Sequence, residues 1–275
     1  MPGFERQYNR QVLVVLMFQD DDLNHKVEVN YGPLQEATII AEAFRPWGFE
    51  VHQYHIPFHH TNASVQSFLW ELTNSTIQND LFVVYYVGHA SHIAYPNSNN
   101  SVIRQQEFNL TASFNGTYAV LDWQAIHATL ERAPCDVLVF LNCCRGALSW
   151  SFSGCGQHMR PGKTMTTIAA TGSHELAHMS RDYSFGSLLV YVLARERWGG
   201  CTSSTVLLER LIDAANKFRP LVRSVDNAGV PYGPYWAMRP LMDPLSVSLG
   251  RNVFIRDRSR WILPIFWPHL PSIRP

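Results

Sequence analysis

Two apolar runs, each ending on a reactive side chain, constrain this chain of 275 residues more than any other feature. Residues 137–142 read Val-Leu-Val-Phe-Leu-Asn, an uncharged run of strand length that stops at Cys143-Cys144-Arg145-Gly146. Residues 81–87 read Leu-Phe-Val-Val-Tyr-Tyr-Val and stop at Gly88-His89-Ala90. A strand that is apolar throughout is buried on both faces, the situation of a parallel sheet covered by helices. Such sheets present their chemistry at the carboxyl edge of the strands. Adjacent parallel strands with these two endings would bring an imidazole and a thiol to one crevice.

The rest of the chain supplies the expected partners. Residues 12–19 read as a strand followed by the acidic run Asp20-Asp21-Asp22, and 33–44 as a helix with proline at its opening. A strand over 49–56 is closed by Pro57, and Thr61 or Asn62 caps a helix to about 73 striped by Val65, Phe68, Leu69 and Leu72. Residues 91–118, rich in serine and asparagine, read as loop with one hairpin at Asn115-Gly116. Asp122 caps a helix to 132, and a loop over 147–163 leads to a strand over 165–170. Helices over 184–197 and 202–218 follow, then strands at 235–242 and 245–249. This order predicts an α/β fold with a mainly parallel six-stranded sheet and helices on both faces.

Lysine and arginine number 22, matching 22 aspartates and glutamates, so no overall field favours nucleic acid or an anionic membrane. Five cysteines at 135, 143, 144, 155 and 201 are odd in number and irregular in spacing, which points to reduced thiols and a cytoplasmic protein. The apolar run at 12–18 is short for a signal peptide and lacks a small-residue cleavage site, so it reads as a first strand. No run is long enough to span a membrane. The Asn-x-Ser/Thr triplets at Asn62, Asn74, Asn99, Asn109 and Asn115 matter only in a secreted chain and are read as chance.

Val-Tyr-Tyr-Val-Gly-His-Ala resembles the caspase and metacaspase pattern in which an apolar strand delivers Gly-His-Gly, and Leu-Asn-Cys-Cys-Arg-Gly is similar to their cysteine motif. The histidine lies 55 residues before the cysteine, close to the spacing of that motif. The resemblance covers roughly residues 10–250 and implies a caspase-like three-layer sandwich over 1–255. Within it, 1–146 would be large-subunit-like, 147–164 a linker loop and 165–255 small-subunit-like, with 256–275 an extended arm. It further implies a cysteine endopeptidase acting on peptide or protein substrates, with a role in regulated cell death and a homodimer or adaptor as partner. Cys144, immediately before Arg-Gly, would be the nucleophile and His89 the general base. Cys143 is expected to pack into the core. The backbone N–H groups of Gly88, Ala90 and Cys144 would form the oxyanion hole. Alanine stands at 90 where the family has glycine, which keeps the N–H but restricts the backbone.

Two readings compete with a cysteine peptidase. One is a catalytically inactive module of the same fold that recruits partners. The other is a zinc hydrolase, because His174-Glu175-Leu176-Ala177-His178 matches H-E-x-x-H. The flanking residues argue against the long helix such a site needs, and neither His269 nor Glu196 supplies a third ligand in familiar context. No metal or other cofactor is therefore expected, although the acids at 20–22 would suit Ca²⁺ activation. For substrate side chains, Asn142 and Arg181 are candidates to line the pocket, and Asp20 and Asp22 to attract a basic residue. The loop 147–164 contains no acid, and Lys163 is its one convenient basic cleavage point. Either the preferred residue is basic or the chain works uncleaved.

Overall fold

The computed structural model describes residues 8–22, 32–96, 103–150, 161–171, 177, 184–196, 201–217, 245–249 and 254–256. Its centre is a six-stranded sheet in the order β10-β8-β7-β3-β1-β2, built from β1 (Gln11–Phe18), β2 (Glu50–Ile56), β3 (Leu81–Val87), β7 (Asp136–Asn142), β8 (Met165–Ala169) and β10 (Leu245–Leu249). The first five are parallel, and β10 runs antiparallel to β8. Every residue of β1, β3, β7 and β8 is buried, as their uninterrupted apolar runs require.

Alternate side chains feed two cores. Leu13, Val15, Val83, Tyr85, Leu138 and Phe140 face one layer, made by helices α1 (Pro33–Phe44), α4 (Phe185–Glu196) and α5 (Ser204–Lys217). Val12, Val14, Val84, Tyr86, Val137 and Val139 face the other, made by α2 (Thr61–Asn74) and α3 (Trp123–Arg132). Truncating a large fully buried side chain such as Phe140 in such a core costs about 3–5 kcal/mol. Asp122 caps α3 through the N–H groups of Gln124 and Ala125, and Ser184 caps α4 through that of Ser187. No described helix is long and apolar enough to cross a membrane.

Residues 91–118 are not the loop that their composition suggests. They contribute to a three-stranded antiparallel sheet of β4 (His89–Pro96), β5 (Ile103–Phe114) and β6 (Thr117–Asp122), lying on the α2–α3 side. The expected turn at Asn115-Gly116 does join β5 to β6, with both residues at positive φ. Phe108, Leu110, Ala112, Ala119 and Leu121 point inward while Tyr118 stays 73% exposed. A sheet with one wet face needs only every second residue apolar, so its average composition is that of a loop. Helix α5 opens later than expected because β9 (Cys201–Ser203) pairs with β11 (Phe254–Arg256). The expected strand at 235–242 and the arm beyond 256 lie outside the described residues.

Chain order and sheet order together mark where an open sheet of this kind would bind a ligand. The path goes from β1 outward to β2, then returns to β3 on the other side of β1. The strand order therefore reverses between β1 and β3, and open sheets bind ligands at the carboxyl ends of the strands flanking such a reversal.

Candidate active site

Strand β3 pairs with β7 so that Val87 lies opposite Asn142, the last residue of each strand. Gly88 extends the ladder by one bond, its N–H donating to the Asn142 carbonyl at 3.3 Å. There the two chains part. Gly88 has φ +151°, and a Cβ on it would come within 2.7 Å of the Tyr86 hydroxyl. Only glycine turns the chain here from the parallel sheet into β4, whose first residue is His89. The Tyr86 hydroxyl donates to the His89 carbonyl at 2.7 Å and fixes that residue's backbone. Burial pushes the Tyr86 phenol well above its ordinary range, helped by Cys143, Asp21 and Cys144 nearby.

On β7 the chain leaves the sheet through Cys143, Cys144 and Arg145. Cys143 is fully buried, and burial together with its neighbour Cys144 pushes its thiol well above the ordinary value, which keeps it protonated and unreactive. Cys144 is part-exposed. Arg145 is left-handed at φ 56°, an uncommon conformation for a side chain of this kind, and it turns the chain into the 3₁₀ segment Gly146–Trp150. Thr171, just beyond β8, holds this turn. Its hydroxyl donates to the Cys143 carbonyl at 2.9 Å and accepts from the Gly146 N–H at 3.0 Å, while its carbonyl accepts from the Ala147 N–H at 3.1 Å. The Ala177 N–H points at the Cys144 sulfur from 3.4 Å, a donor where negative charge would develop.

The three acids after β1 go separate ways. Asp20 is half-buried. Asp21 is turned inward, its side chain 2% exposed, with Oδ1 3.9 Å from Nε2 of His89, which is itself 42% exposed. Both oxygens of Asp22 are taken by the β5–β6 hairpin, from the Ser113 hydroxyl at 3.0 Å and the Asn115 N–H at 3.4 Å. Among the described residues no three His, Cys, Asp or Glu side chains converge in a way that could hold a metal ion.

Asn142 is turned into the core toward α1. It is 2% exposed, and its amide donates to the buried carboxylate of Glu36 on α1, which accepts from the Tyr85 hydroxyl as well. Of the expected oxyanion donors, the Gly88 N–H is taken by the ladder, Ala90 lies within β4 opposite Leu110 on β5, and Cys144 follows the last strand residue by two. Arg181 and the histidines and glutamate of the H-E-x-x-H sequence lie outside the described residues.

With this geometry in hand, known structures provide a comparison. Caspase-1 from Spodoptera frugiperda aligns with 89% of this chain and 87% of its own, at 12% identity and a TM-score of 0.53. The chain has a caspase-like fold. Protein GSU0716 from Geobacter sulfurreducens is similar to a comparable degree, with 82% of this chain and 98% of that one covered at 14% identity and a TM-score of 0.54. No family model and no curated protein sequence matches the chain. The likeness is thus one of backbone, and within the caspase-like fold the site stands on its own side chains.

Three contributors escape a reading of the sequence. Asp21 sits in an acidic run that draws notice as a whole, but only the fold separates the acid facing His89 from the two beside it. Thr171 and Tyr86 act through bonds to main-chain atoms 28 and 3 residues away, and no motif marks them.

Proposed function

We propose that the chain is a cysteine endopeptidase with Cys144 as nucleophile and His89 as general base. The observation that carries this reading is the register of β3 against β7. Val87 lies opposite Asn142, and two residues beyond each the chain delivers a histidine and a cysteine to the same edge of the sheet. In the reaction His89 takes the proton of the Cys144 thiol while the sulfur adds to the scissile carbonyl carbon. The backbone N–H groups of Ala90 and Cys144 hold the oxyanion. The imidazolium then protonates the leaving amine, the C–N bond breaks, and a thioester remains. Water, deprotonated by His89, hydrolyses it and restores the thiol.

The residue before the cut is basic in this reading, with Asp20 as its partner at the end of β1. The chain also works without a cut at Lys163. That side chain is 7% exposed, and its ammonium donates to the carbonyls of Leu130 and Glu131 at the end of α3. A protease would have to unfold this anchor to reach the following peptide bond. A positional-scanning peptide library tests the proposal. It predicts turnover after lysine or arginine, lost in Cys144→Ala and in His89→Ala with circular dichroism unchanged. Turnover that survives Cys144→Ala would refute the dyad, and a folded protein without turnover on any peptide would favour the inactive partner-recruiting module.

A further inference from the structure

A buried carboxylate facing a half-exposed imidazole raises a question that the dyad does not answer. A carboxylate of ordinary solvation sits in water, and taking it out of water is costly unless something compensates. Asp21 is 1% exposed and lies three residues beyond the end of β1. It is set beside β3 at the strand-order reversal, with Oδ1 3.9 Å from Nε2 of His89. His89 at the start of β4 faces it, and Tyr86 on β3 senses the charge of Asp21 as well as those of the Cys143 and Cys144 thiols beyond β7. Protonation of the imidazole would set a cation opposite this carboxylate. Asp20 and Asp22 flank Asp21 in the chain, and Asp22 is tied to the β5–β6 hairpin.

We propose that Asp21 is a positioning residue for His89, resting on the peptidase reading above: its carboxylate holds the Nε2 side of the ring, leaving Nδ1 to take the proton of Cys144. The strand order β7-β3-β1 then lays out thiol, imidazole and carboxylate along one edge in the order in which they act. Asp21 does not itself take the proton. It stabilises the imidazolium that forms when the thiol is deprotonated, and it restricts rotation of a ring that is otherwise open to water on one side.

The test is the rate of iodoacetamide alkylation of Cys144 against pH, in the full chain and four variants. His89→Gln tests the dyad, and it should slow alkylation at neutral pH about tenfold or more. Asp21→Asn should slow it severalfold to about tenfold at neutral pH, and by no more than His89→Gln does, because it acts through that ring. On peptide substrates the loss should fall on kcat, with KM little changed. Asp21→Glu keeps the charge and should recover most of the rate, whereas Asp22→Asn should lower thermal stability and leave the profile in place. If His89→Gln slows alkylation and Asp21→Asn leaves the rate unchanged, the role of Asp21 falls and the peptidase reading stands. If His89→Gln has no effect, both fall. If Asp21→Asn and Asp21→Glu both fail to fold, the carboxylate serves the fold and the proposal is overturned.

Discussion

The two edges of the central sheet bury polar groups in different ways. At the amino edge the buried polar groups are locked to one another. Asp136 at the start of β7 accepts from the Tyr8 hydroxyl and the Thr164 N–H, both at 2.8 Å. Lys163 caps the end of α3 through two carbonyls, and His127 meets Glu131 at 3.4 Å. Nearby, Thr76 donates to the Cys135 sulfur at 3.2 Å, and burial raises that thiol to about 11. At the carboxyl edge stand Asp21, His89 and Cys144, and bonds nearby go to the backbone that carries them, from Tyr86 to the His89 carbonyl and from Thr171 to the Cys143 carbonyl. One edge closes the fold and the other carries the proposed chemistry, although both hang on the same strands.

If that division holds, substitutions at the carboxyl edge change rate more than stability, and those at the amino edge do the reverse. The largest effect is expected of Cys144→Ala, which should remove peptide turnover by about 10³-fold or more and leave the melting temperature within a degree or two. A large drop in melting temperature would blur the distinction. Asp136→Ala comes next, since it strands a buried hydroxyl and a buried N–H. Stability should fall by about 3 kcal/mol by denaturant titration, with turnover per folded molecule unchanged. Turnover lost ahead of stability would show that the amino edge reaches the site.

Gly88→Ala probes the junction between the two roles. The new Cβ must push against the Tyr86 hydroxyl at an unfavourable φ, so the fold should lose about 1–3 kcal/mol. His89 should shift with it, at a further cost of up to about 10²-fold in kcat. Normal kcat in this variant would mean that the His89 backbone is not set by the kink.

The smallest effect is a matter of pH at the amino edge. Burial of His127, opposed by Glu131 and aided by Lys163, holds its imidazole below the ordinary value. A base whose folded value is depressed contributes stability that is full above the unfolded value of about 6.5 and is lost as pH falls from there toward the folded value. His127→Gln should therefore flatten the loss of stability below about pH 6.5. An unchanged acid limb in chemical denaturation would contradict this assignment.

The parallel core was legible in the sequence because strands buried on both faces leave uninterrupted apolar runs, and 81–87 and 137–142 end where those runs end. Helices α1 to α4 announced themselves through their period, and Asp122 and Ser184 are the caps expected of α3 and α4. The cap expected of α2, Thr61 or Asn62, falls inside the helix, whose N-cap is His60 with no side-chain bond. The second sheet was hidden because Leu110, Ala112, Ala119 and Leu121 alternate with polar residues, and its period is diluted by the serines and asparagines of the wet face. At the site, Cys144 and His89 could be singled out as candidates from the strand endings. The burial of Cys143 followed from its place next to the last buried residue of β7. Asn142 could not be placed, because its direction depends on Glu36, 106 residues earlier in the chain. The distinct fates of Asp20, Asp21 and Asp22 depend likewise on the histidine and the hairpin that meet them, neither of which a run of three acids foretells.

The claim beneath all of this is that His89 acts on the Cys144 sulfur. Its most direct test is the alkylation rate of Cys144 at neutral pH, followed by peptide mass mapping, in the wild type and in His89→Gln. The account predicts a fall of about tenfold or more in the variant, with Cys143 unlabelled in both proteins. Equal rates at Cys144 would mean that thiol and imidazole share an edge of the sheet but no chemistry.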